Sequence, residues 1–291
     1  MTERTSVLTV KARRSGAPAL EARAVLRPAV RRLGAVALGF AGGWAVLYGA
    51  LMPFGLGLVL GLAEDCFAPC AAGAALGVLL HGFGALSLRS VCLLCALGAA
   101  VAVRWVWPGR SLPAVLAGCG TLAAMGLCFA LGTGGGAELA LFCTADALLA
   151  GLLGLALRRF PPEKPGFGTL LTGAAMAAAL GNLPLERFFP GVAVCAAVEL
   201  VLCSRGQPGA ALACSGMLGA ALCAADPALA CAAAGLACGA SAACILAPGR
   251  RVEAAAAYAG GCVTGVLCVQ PPGQAFAVLF SAGAGILCVL A

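Results

Sequence analysis

Charge is scarce in this chain. Its 291 residues carry 18 Lys and Arg and 11 Asp and Glu, 10% in all, while 62% are apolar and 42 are glycine. A water-soluble domain is roughly half apolar and a quarter charged, so this composition leaves too little polar surface to face water. It excludes a soluble enzyme, a disordered tail and a nucleic-acid module as readings of the whole chain. Histidine is nearly missing too, His81 being the single copy. There is no H-E-x-x-H, no Ser/His/Asp grouping and no G-x-x-x-x-G-K-[ST] phosphate loop, so catalysis by these residues is not expected, and neither a bound cofactor nor a metal.

What is present is a succession of Leu, Ala, Gly and Cys runs broken by short charged or Pro-rich stretches, with a mean hydropathy of +1.04. A helix needs roughly 17 to 25 apolar residues to cross the hydrocarbon. The runs therefore predict an all-α, polytopic helical membrane bundle of about 10 to 12 transmembrane segments. The expected segments are Leu33–Leu51, Met52–Ala63, Cys66–Ala85, Leu88–Val103, Leu112–Leu131, Ala137–Leu157, Gly168–Leu183, Phe188–Ser204, Gly209–Ala225, Pro227–Ala247, Val252–Cys268 and Gly273–Ala291. Met52–Ala63 is short enough to be a tilted span or half of a re-entrant hairpin.

The charges that exist are unevenly placed. Residues 1–32 hold eight basic side chains against Glu3 and Glu21, a net of +6 out of +7, and read as a basic cytoplasmic tail ahead of a polytopic domain over 33–291. Such an arm suits the positive-inside effect and anionic headgroups. It has no aromatic residue to stack on bases, so no nucleic-acid partner is expected. With the N-terminus inside, alternate loops place sixteen Lys and Arg in the cytoplasm and only Arg89 and Arg187 outside. Both ends then lie in the cytoplasm of a multi-pass protein of a bacterial cell membrane. The chain stops at Ala291 in an apolar run, which fits a cytoplasmic region following it.

Lipid tails are as apolar as Leu, so helices in a bilayer associate through close packing of small residues. Gly39 and Gly43, Gly57 and Gly61, Gly73 and Gly77, Gly235 and Gly239, and Gly261 and Gly265 each stand four apart on one helix face. Packing within the chain is the expected use, with self-association as the alternative. The seventeen cysteines read as small apolar fillers, although Cys66 with Cys70 and Cys92 with Cys95 have the spacing of metal half-sites. Carboxylates inside a membrane are costly. Asp146, the deepest, and Glu199 are therefore candidate intramembrane polar sites, either for a proton or cation or as hydrogen-bonded helix contacts; neither has a deep basic partner in its own helix. Glu138 reads as interfacial.

The run Gly39 to Gly61, G-F-A-G-G-W-A-V-L-Y-G-A-L-M-P-F-G-L-G-L-V-L-G, resembles the start of the membrane region of stage II sporulation protein E. Gly216 to Leu267, with the basic turn A-P-G-R-R-V-E, is similar to that family's late G-rich helix pair, basic turn and following helix. The resemblance implies a membrane anchor and septal-localisation module. In that family the anchor is coupled to a cytoplasmic, manganese-dependent PP2C-type serine/threonine phosphatase. That phosphatase acts on an anti-anti-sigma factor to activate the first forespore sigma factor, and the protein meets the cell-division ring at the polar septum. None of the family's metal-binding aspartates maps onto these residues. The alternative from the residues themselves is a small-solute transporter, since Pro/Gly-interrupted helices and midplane carboxylates build substrate sites.

Overall fold

A computed structural model describes residues 29–81, 87–132, 136–162, 166–183, 188–269 and 272–291. The tail as far as Pro28 lies outside the described residues, as do Lys164 and Arg187. Helices account for nearly all of the rest: α1 (29–44), α2 (Pro53–Gly61), α3 (Glu64–His81), α4 (Leu88–Val106), α5 (Ser111–Gly132), α6 (Gly136–Arg159), α7 (Phe167–Gly181), α8 (Pro190–Ser204), α9 (Pro208–Ala225), α10 (Ala230–Leu246, after a 3-10 turn over Pro227–Leu229), α11 (Arg251–Val269) and α12 (Pro272–Leu290).

Among the described residues six helices are long and apolar enough to cross a membrane: α4, α5, α6, α9, α11 and the joined Pro227–Leu246. On length and composition this is fewer than the ten to twelve spans expected. Helices α2, α7 and α8 are shorter, at nine, fifteen and fifteen residues, and α3, though 18 residues long, carries Glu64, Asp65 and His81 at its ends. The first expected span, Leu33–Leu51, is overturned in detail. The helix stops at residue 44, and the chain turns through Leu47 to Leu51, with Tyr48 and Gly49 both at positive φ. Pro53 then opens α2, which at nine residues and about 1.5 Å each is roughly 13 Å long, under half a bilayer core. Large apolar side chains face outward along the helices, while exposed charges such as Arg31, Asp65, Arg250 and Glu253 stand at helix ends. Trp105, Leu131 and Ile245 are each more than three-quarters exposed, and Leu141, Leu148, Leu152 and Phe276 are nearly as bare, a surface suited to lipid.

The helices fall into two sixes with one plan. In the first, α1 runs parallel to α3: a Cβ on Gly39 would strike the Cys70 carbonyl and one on Gly43 the Ala74 carbonyl. In the second, α7 runs parallel to α9, with Gly173 facing Leu218 and Gly181 facing Ala225. Helix α2 lies parallel to α6, Gly57 on Leu153 and Gly61 on Leu157. Likewise α8 lies on α12, Ala193 meeting Gly285. The α4–α5 and α10–α11 hairpins also correspond. Both turn through Pro-Gly-Arg, at Pro108-Gly109-Arg110 and Pro248-Gly249-Arg250, with the glycine at φ +80 and +79, a left-handed conformation that favours glycine. Each half has its own buried core, one built on α2 and one on α8. The halves join where Asn182 Nδ2 donates to the Val46 carbonyl (2.9 Å) and Tyr48 N–H to the Ala224 carbonyl (2.6 Å).

Candidate functional site: the capped half-helix and the buried carboxylates

A helix as short as α2 leaves nearly half of its backbone groups without partners inside itself: the first-turn N–H groups at one end, of which Pro53 has none, and four C=O at the other. Eight of its nine residues are buried, so water does not supply them. Side chains from neighbouring helices do. At the N-terminal end Asp146 of α6, fully buried, accepts a hydrogen bond from Met52 N–H on Oδ1 at 2.7 Å. Its Oδ2 accepts from Arg89, whose Nε lies 3.1 Å away and whose Nη2 closes an ion pair. Arg89 also sits over the Phe142 ring.

The other end is held by cations. Arg104 of α4 donates to the carbonyls of Val59 (2.8 Å) and Leu62 (2.5 Å), with its guanidinium 4.7 Å from the Phe67 ring centroid. Arg158 of α6 donates from Nε to the Leu60 carbonyl at 2.7 Å. A carboxylate at the N-terminus and cations at the C-terminus both oppose the helix dipole favourably.

Arg89 corrects the sequence reading. Counted as an outside loop residue, it stands one position into α4 and reaches inward to Asp146, giving the deepest carboxylate the basic partner that its own helix lacks. The second half repeats the cap with a neutral group. Phe189 N–H, just before Pro190, donates to Ser281 Oγ of α12 at 2.9 Å, and Ser281 is fully buried. Met52 with Asp146 and Phe189 with Ser281 are thus corresponding pairs.

Glu199 lies apart from Asp146, in the second core. Oε2 accepts from Tyr258 Oη at 2.7 Å, and Oε1 is buried without a hydrogen-bond partner among the described residues. Both residues are fully buried. Glu138 falls in the first turn of α6.

The candidate packing glycines meet helices of this same chain. Gly235 and Gly239 of α10 face Gly261 and Gly265 of α11. A Cβ on Gly261 would come within 2.5 Å of the Cys238 carbonyl, and one on Gly265 within 2.6 Å of that of Ala234. Gly39 and Gly43 interlock with Gly73 and Gly77, and Gly57 and Gly61 receive Leu153 and Leu157. All seventeen cysteines are free thiols, and Cys203 and Cys244 approach to 3.5 Å. Among the described residues no three His, Cys, Asp or Glu side chains converge as metal ligands. A groove of about 960 Å³ between α1, α7, α8 and α9 is lined almost wholly by apolar side chains such as Leu38, Leu170, Met176 and Val198.

No family model, curated protein or solved structure matches the chain.

Only the geometry therefore bears on what the polar groups do. Asp146, Arg89, Arg104 and Arg158 are engaged by one another or by the backbone of α2 and the residues flanking it. Among the described residues the buried polar atoms left unmet are Glu199 Oε1, Arg158 Nη2 and Trp44 Nε1.

Proposed function

We propose that the chain is a multi-pass membrane anchor whose intramembrane charges hold its own short helices in place. The observation that carries this is the use of Asp146, Arg104 and Arg158 as caps for α2. A cargo site needs polar groups left free to exchange partners, whereas Asp146 is taken up by Met52 N–H and Arg89, Arg104 by two carbonyls, and Arg158 through Nε by a third, with only its Nη2 unmet among the described residues.

In the finer form of the proposal the shorter helices cross the membrane as well, giving about twelve segments with the basic loops and both ends in the cytoplasm. The ends of α1, α3, α4 and α6 that carry Arg31, Asp65, Glu64, Arg104 and Arg158 gather at one end of the bundle, which supports a single basic face. By its resemblance to stage II sporulation protein E, the anchor would serve at the polar division septum of a sporulating cell. There it would meet the division ring and carry a manganese-dependent phosphatase acting on an anti-anti-sigma factor through regions beyond these residues. A fluorescent fusion to residues 1–291 is expected to concentrate at the septum during sporulation. Uniform peripheral fluorescence would reject the septal role, and recovery of the chain from a detergent-free soluble fraction would reject the anchor altogether.

A second reading, a small-solute transporter, is favoured by the unpartnered Oε1 of Glu199. Under it, Glu199→Gln abolishes uptake in proteoliposomes. Flux that is absent in the parent, or unchanged in the variant, leaves the anchor.

A further inference from the structure

We propose that the pocket at the basic end of α2 is an anion site for a phosphate group, carried by a lipid headgroup or free in solution. The pocket is about 290 Å³ and is lined by Glu64, Arg104, Gly109, Arg110, Arg158 and Pro161 among others. Three guanidinium groups thus share it with a single carboxylate, and that carboxylate is already engaged: Glu64 Oε1 accepts from Gly109 N–H. Arg104 spends two donors on the Val59 and Leu62 carbonyls. Arg158 spends Nε on Leu60, but its Nη2 is buried and has no partner among the described residues.

An unmet guanidinium donor in a pocket of positive excess calls for an acceptor that is itself anionic. The planar fork of arginine suits a phosphate better than a halide, because two parallel N–H groups reach two oxygens. Helix α5, 22 residues long, begins directly after Arg110, so the positive end of its dipole adds to the same field. The corresponding turn of the second half lacks this composition. There Arg250 is paired to Glu253 at 2.9 Å, and Cys244 stands where Arg104 stands in the first half. The site is therefore particular to the first six helices. It needs only the pocket and stands or falls independently of the anchor reading.

The test uses the full chain in phosphatidylcholine nanodiscs, following Tm while sodium phosphate is titrated against sodium chloride at matched ionic strength. A second preparation includes phosphatidylglycerol. A ligand that binds only the folded state raises Tm saturably. Loss of one charge-assisted contact should raise the midpoint concentration roughly tenfold or more in Arg158→Gln and in Arg110→Gln. Arg110→Gln leaves the caps of α2 intact and decides the matter if Arg158→Gln does not fold. Saturation by free phosphate assigns a soluble ligand. Stabilisation by phosphatidylglycerol alone, lost in the variants, assigns a headgroup. No saturable rise beyond the chloride control with either probe, or a response that Arg110→Gln leaves undiminished, overturns the site.

Discussion

Removing Asp146 should damage the fold more than removing it together with Arg89. Asp146→Leu strips two donors of their acceptor at once: the Arg89 guanidinium, whose side chain is 16% exposed, and Met52 N–H. Breaking a buried pair from one side costs roughly 3–5 kcal/mol, because the other charge stays largely out of solvent. Arg89→Met combined with Asp146→Leu removes both charges and leaves only the Met52 N–H orphaned, a loss of roughly 1–3 kcal/mol. The double variant is thus expected to be more stable than the Asp146→Leu single variant by about 2 kcal/mol, taking the middle of these two ranges. Asp146→Asn keeps a carbonyl oxygen for Met52 and should fall between them. Unfolding by sodium dodecyl sulfate in mixed micelles, followed by far-ultraviolet circular dichroism, measures the differences directly. A double variant as unstable as Asp146→Leu, or a single variant within 1 kcal/mol of the parent by the same scale, would refute the capping argument.

At the α10–α11 contact, Gly261→Ala drives a methyl group into the Cys238 carbonyl and should cost roughly 1–3 kcal/mol. Gly260→Ala, one residue away with open space around it, should be neutral or slightly stabilising in the same detergent assay. Ser281→Ala removes the acceptor of Phe189 N–H and should lower stability by about 1–2 kcal/mol, with Ser281→Thr recovering most of it if the hydroxyl is what matters. Arg104→Met leaves the Val59 and Leu62 carbonyls without donors and should cost roughly 2–4 kcal/mol. Cys244→Met at the corresponding place should cost under about 1.5 kcal/mol; equal losses would mean that the two halves do not correspond.

Helix existence was largely legible, because apolar run length and charged breaks are local. Expected Leu88–Val103 is observed as Leu88–Val106, and expected Val252–Cys268 as Arg251–Val269. The first run misled because no charge marks the end of α1 at residue 44. The usable mark was Pro53, since the residue before a proline is driven out of the helical region, and Met52 is non-helical at φ −126, ψ 54. The Arg89–Asp146 partnership was not legible. It joins residues 57 positions apart, and a long arginine side chain can begin at a helix end and finish in the interior. The duplication did leave a trace in the sequence, Pro-Gly-Arg at 108 and again at 248, but Ala, Gly and Leu dominate both halves and dilute any further likeness.

Among the described residues the buried arginines sit in one half, and the unequal lengths of α2 and α8 account for it. Helix α8 starts at Pro190 as α2 starts at Pro53, yet it continues for fifteen residues against nine. Its extra turns supply N–H donors to carbonyls at the level where α2 has already ended, so those carbonyls are satisfied within the helix. In the first half the donors must come from elsewhere, and the nearest helices, α4 and α6, provide them as Arg104 and Arg158. Where α8 makes such a donor unnecessary, Cys244 takes the place of Arg104 and packs against Cys203. The same reasoning applies at the opposite end with a different outcome. Both short helices begin in the same way, so both need an acceptor before the proline, and both have one. Asp146 carries a charge there and requires Arg89 beside it; Ser281 carries none and requires nothing. Buried charge at these two sites thus follows the length and capping of α2 and α8, and Glu199 of α8, whose Oε2 holds Tyr258 of α11, keeps an Oε1 that the capping leaves unused among the described residues.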